Sequence, residues 1–170
     1  MKIYFRDILI VIILVFIGAT IYIIVNKNDK KDLSNIKVVD NSTQYYNVVS
    51  VVNKYVHYSN EDDKSKIFKI LDDDYIYKKG IDASNVFKYV RKYSDGNVSF
   101  KGDIMYYEKI SDNINKYYVS GQIESVSMND YEIIDENFYT IVLVDNKNSS
   151  FSIIPDDGKT FKEVEKWMLK

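Results

Sequence analysis

Apolar and polar positions along this chain follow three successive regimes. From Ile8 to Val25, 18 residues in a row carry no charge and leave no polar face. At ~1.5 Å per residue they cover roughly 27 Å, close to the ~30 Å hydrocarbon core of a bilayer. Arg6 and Asp7 precede the run, Asn26 and Lys27 follow it, and Tyr4 and Phe5 are placed to extend it. The pattern predicts a single transmembrane helix over 8–25. A cleaved signal peptide is the alternative, but its apolar region is usually about 7 to 15 residues and an A-x-A-like site should follow it. Basic residues flank both ends, so charge does not set the orientation. The short segment 1–7 is expected to stay in the cytoplasm while the long remainder is translocated. The mixed-charge stretch 26–40 reads as a linker, and 41–170 as one extracytoplasmic domain.

Beyond the linker the apolar period becomes helical. Tyr45, Val48, Val49, Val52, Tyr55 and Val56 predict a helix capped by Asn41 or Ser42. A second helix is expected to open at Ser59 or Asn60, with acids in its first turn, and to bury Ile67, Ile70 and Leu71. A third, carrying Val86, Phe87, Tyr89 and Val90, should stop at Gly96.

From Asn97 the period falls to two. Val98, Phe100, Ile104 and Tyr106 are predicted to share one face of a strand, and Tyr117, Val119 and Ile123 to oppose Ser120, Gln122 and Glu124 on the next. Phe138 to Val144 is apolar on both sides apart from Thr140, so that strand needs two covers. Its hairpin partner runs from Phe151 to Ile154, and Pro155, lacking an N–H, is expected to end the ladder. The capping-box pattern of Thr160 and Glu163 predicts a short closing helix with Phe161, Val164, Trp167 and Met168 on one face. The fold class is therefore α+β: about three helices packed on a curved antiparallel sheet of about four strands, behind the transmembrane helix. Tyr139, Ile141 and Leu143, with Phe161 and Trp167, are the candidate sheet-cover or interface residues.

Composition narrows the functional classes. The 23 basic and 25 acidic residues give a net charge of −2, which leaves no broad footprint for nucleic acid. The chain has no cysteine, so a disulfide framework, a thiolate metal site, a cysteine nucleophile and a lipidated cysteine are all excluded. Heavy use of Lys, Asn, Ile, Asp and Tyr, the residues of A/T-rich codons, points to a low-GC bacterial source. His57 is the only histidine and lies in no catalytic motif. The acidic runs at 61–63 and 72–74 lack the alternation, central glycine and final glutamate of a calcium loop. They read as helix N-terminal charge and as a solvated helix exit. Tyr106, Tyr117 and Tyr139, with nearby acids, have the residue types of an isomerase site without its pattern. The residues give no grounds for a cofactor or a metal.

The order of three helices and then strands, with "FSIIPDDG" closing the last of them, resembles the nuclear-transport-factor-like, cystatin-type cone domains behind a single transmembrane helix in Gram-positive bacteria. Such domains occur in TcpC-type conjugation proteins and in bitopic scaffold subunits of type IV secretion systems. The resemblance spans roughly Ser42 to Lys170. It implies a non-catalytic scaffold of the cell envelope, in contact with the bilayer through 8–25 and with a protein partner or a second copy of itself. A tethered ligand-binding or sensory module is the second reading and an isomerase-like enzyme the third.

Overall fold

Ile36–Val38, within the stretch read as linker, is a strand, β1, and the folded unit begins at Asn35 rather than near Asn41. The computed structural model describes residues 33–93, 97–126, 133–156 and 158–169. The predicted span 8–25 and the linker segment 26–32 lie outside the described residues. Among the described residues no helix is long and apolar enough to cross a membrane.

Helix α1 (Ser42–Asn60) starts where Asn41 accepts the Gln44 amide at 3.0 Å, and it buries Val48, Val51, Val52, Tyr55 and Val56. The expected second helix is two helices. α2 (Lys64–Ile70) is capped by Asp63 rather than Ser59 or Asn60, because α1 runs on through Asn60 and Asp62 then turns the chain at φ 56°. α3 (Asp73–Lys79) is capped by Asp72, whose carboxylate accepts the Tyr75 amide at 3.0 Å. The run 72–74 is thus a helix entrance, where the dipole favours negative charge, and not the solvated exit expected.

The third predicted helix is reduced to one 3₁₀ turn, Val86–Lys88. Asp82 accepts the Ser84 and Asn85 amides, and Asn85 accepts the Asp82 amide and donates to the Gly80 carbonyl. These side chains bind the backbone groups that a helix would need.

Four longer strands follow: β2 (Val98–Lys109), β3 (Ile114–Val126), β4 (Ile133–Asp145) and β5 (Ser150–Asp156). With β1 they form one antiparallel five-stranded sheet in sequence order, so the sheet has one more strand than expected. Asp103 and Ile104 together oppose Ser120, a bulge that separates the Gly102–Gly121 and Met105–Val119 pairs. The Ser120 hydroxyl holds it through the Ile104 carbonyl and amide, at 3.2 and 3.3 Å. The extra residue reverses the alternation, so Phe100 faces the helices and Tyr106 the opposite side, contrary to the single face expected. Pro155 does not end the ladder. It pairs in register with Thr140 on an edge strand, where a missing N–H is tolerated.

α1 and α2 pack on one face of the sheet, and Phe100, Met105, Tyr117, Val119, Ile123, Phe138, Val142 and Ile153 join their apolar residues in the core. The opposite face receives α4 (Lys159–Met168), with Phe161 and Val164 buried. Thr160 is not its cap. Gly158, at φ 87°, turns the chain into the helix, and the Asp156 carboxylate accepts the Phe161 amide at 3.4 Å.

Side chains and short segments occupy the outer edges. Asn53 on α1 accepts the Phe100 amide at 2.8 Å and donates to the Phe100 carbonyl at 3.1 Å, so one amide takes the place of a strand neighbour. The Tyr45 hydroxyl donates to the Gly102 carbonyl at 2.6 Å. At the other edge Asp72 donates its amide to the Ile153 carbonyl at 3.0 Å. Asn53→Ala should leave both Phe100 groups unsatisfied, lowering stability by about 1 to 3 kcal/mol and opening an edge to aggregation. Urea denaturation with light scattering reads both effects. An unchanged midpoint with no added scattering contradicts the account of this edge.

Candidate interaction surface

The five residues singled out from the sequence lie on two elements but do not form one patch. Phe161 sits between Tyr106 and Tyr139, with ring centroids 5.5 Å apart in each case. Ile141 is buried on the same face, beside Tyr118. Tyr139 is half-buried there, and Lys162 reaches over its ring at 5.5 Å. Trp167 is half-buried on α4. Leu143 instead lines an open cleft with Phe68, Ile114 and Ser152. Tyr139, Ile141 and Phe161 therefore belong to the sheet–helix layer, and Leu143 and Trp167 stand at its margin.

The tyrosines of the isomerase reading are divided by the sheet. Tyr117 lies on the helix side, stacked on Tyr107 with centroids 6.1 Å apart, while Tyr106 and Tyr139 lie on the α4 side. Among the described residues Tyr118, which the sequence did not single out, is a phenol that does meet a carboxylate. It is fully buried and donates to Glu108 at 2.7 Å. Burial first, and then this bond to a carboxylate, push its pKa well above the usual phenol range. The pair ties β2 to β3 on the α4 side. The Tyr55 phenol is raised chiefly by complete burial in the core.

His57 lies on the exposed side of α1 with Nε2 3.0 Å from Glu61, an i,i+4 helix-surface pair. Among the described residues no group of His, Cys, Asp or Glu is arranged to hold a metal ion. Asp63 and Asp82 spend their carboxylates on local amides, and hydrogen bonds, to Lys66 and Ser84 respectively, hold both below the ordinary carboxylate range.

Three open clefts surround Phe151, a residue the sequence marked only as part of a strand. One of about 300 Å³ is lined by Lys54, Tyr58, Lys66, Lys69, Ile70 and Phe151, without a single acid. Its neighbour of about 460 Å³ shares Lys69 and Phe151 and includes Asp72, Asp73 and Asp74. The third, about 370 Å³, runs between α1 and the β4–β5 hairpin, where Gln44, Asn47 and Ser150 rim Val48 and Phe151. The Lys54 ammonium lies 5.5 Å above the Phe151 ring, and Lys66 lies 5.1 Å above Tyr58. No single periodic signal marks this surface, because its residues are shared among α1, α2, α3 and the β4–β5 hairpin. Away from it, Arg91 makes a two-pronged pair with Glu136 at 2.6 and 2.8 Å and lies over Tyr93. Its exposure limits that pair to about 0 to 1 kcal/mol.

No protein family, curated protein or solved structure matches the chain.

Proposed function

We propose that this chain is a membrane-anchored, non-catalytic interaction domain of the bacterial cell envelope, tethered by 8–25 with its folded unit outside the cytoplasm. The observation that carries the reading is that the chain's own helices cover both faces of the sheet. Apolar side chains on one face are used by α1 and α2 and those on the other by α4, while side chains and the Leu71–Asp72 segment bond the edges at Phe100, Gly102 and Ile153. Recognition is left to the mixed outer surface, as suits a scaffold component more than a pocket enzyme. Helices followed by an antiparallel meander keep the element order on which the resemblance to conjugation and secretion scaffolds rests, although a short strand precedes them. The cleft of about 370 Å³ between α1 and the β4–β5 hairpin, with its amide and hydroxyl rim, favours a tethered ligand-binding module as the second reading.

The anchor is tested by fractionation. The full chain should stay in the membrane pellet after an alkaline carbonate wash, and a chain beginning at Asn35 should enter the supernatant. Release of the intact full chain by the wash overturns the anchor.

A further inference from the structure

The clefts around Phe151 juxtapose opposite charges that are only partly paired within one molecule. On one side stand Lys54, Lys66 and Lys69, and on the other Asp73 and Asp74, with Lys69 and Phe151 at the boundary. Lys66 is engaged by Glu61 and Asp63 at 3.4 and 3.1 Å. Lys54 lies over the Phe151 ring, and among the described residues Lys54, Lys69 and Asp73 have no ion-pair partner. Asp74 reaches Lys78 at 3.9 Å with both side chains largely in water, a pair worth little. α3, which presents these acids, buries none of its residues, and its Tyr77 is 87% exposed. Tyr75 and Ile76 pack, half-buried, against the core, which leaves Asp73, Asp74 and Tyr77 on the outward side of the helix.

A basic half beside an acidic half, with a half-buried aromatic ring between them, is self-complementary under a two-fold rotation. Each basic half then meets the acidic half of the other copy, and every contact is made twice. We propose that this surface joins two copies of the chain, with Lys69 and Lys54 of each copy facing Asp73 and Asp74 of the other across Phe151. The inference rests on the reading of the domain as an interaction module and gives that module its partner. An acidic segment of a different protein would satisfy the lysines but leave α3 unused, so a second copy accounts for more of the surface.

Charge reversal in the full chain, held in detergent micelles and followed by sedimentation equilibrium, tests it. Wild type should dimerise, and the dimer should weaken as salt rises. Lys69→Glu or Asp73→Lys alone places like charges opposite each other twice, and should raise the dissociation constant by about tenfold or more. An equimolar mixture of the two variants makes both contacts attractive again and should return to near the wild-type constant, as should the chain carrying both substitutions. That recovery also shows that the single variants are folded. A monomeric wild type overturns the proposal without touching membrane attachment, which the carbonate wash reads separately. A dimer indifferent to both reversals, or single variants not rescued by mixing, overturns it as well.

Discussion

A chain ended after Asp156 is expected to lose most of its folding stability and to aggregate. Such a chain lacks α4 and exposes Tyr106, Tyr118 and Ile141, whose face of the sheet has Phe161 and Val164 as its cover. A milder version isolates the main contact. Phe161 is 3% exposed between two tyrosine rings, and replacing a buried phenylalanine by alanine typically costs about 3 to 5 kcal/mol. Against a total stability of about 5 to 15 kcal/mol, that loss is a large share of the whole. Thermal denaturation of Phe161→Ala should show a midpoint lower by roughly 10 °C or more. An unchanged midpoint, or a truncated chain that stays monomeric and folded, means that α4 is an ornament on a sheet stable without it.

Gly121→Ala is expected to be almost as damaging, although it adds one methyl group. A Cβ at this position would lie 2.3 Å from the Lys101 carbonyl oxygen and 2.5 Å from the Phe100 ring. The first is backbone in the adjacent strand, beside the bulge, so relief requires the β2–β3 ladder to part. Overpacking usually costs about 1 to 3 kcal/mol, and a clash against backbone in the central sheet belongs at or above the top of that range. Urea titration should show the loss as a lower midpoint with an unchanged slope. A midpoint equal to wild type contradicts the close approach of the strands here.

How far the fold is legible in the sequence depends on whether local and tertiary signals agree. α1 is legible because its apolar residues recur at one period for nineteen residues and a polar cap precedes them. β3 is legible for the same reason at period two, with Tyr117, Val119 and Ile123 in the core. β1 is not, since its three residues become a strand only by pairing with Glu108, Tyr107 and Tyr106, far along the chain. The bulge hides the true faces of β2, because the extra residue is defined by the register to β3 and not by the residues of β2. Side-chain chemistry misled where one residue type serves two roles. Asp82 and Asn85, residue types that can also cap a helix, here hold a turn just ahead of the predicted third helix. Thr160 and Glu163 match a capping box that starts at the second residue of a helix capped by Gly158.

The candidate surface was less legible than the fold. Tyr139, Ile141 and Phe161 were identifiable because a strand apolar on both sides demands a second cover. Lys54, Lys69 and Phe151 were not, since lysines on helices ordinarily denote a solvated face and nothing in the sequence sets three elements side by side.

Display of the folded unit on the outer side of the membrane, as proposed, can be measured directly in this cysteine-free sequence. Tyr77→Cys puts a single thiol at a position 87% exposed, and Lys2→Cys puts one before the predicted span. Wall-stripped cells with intact membranes, treated with a membrane-impermeant maleimide, should label Cys at 77 at once and Cys at 2 only after lysis. Labelling at 77 only after lysis, with 2 accessible before it, would contradict the account.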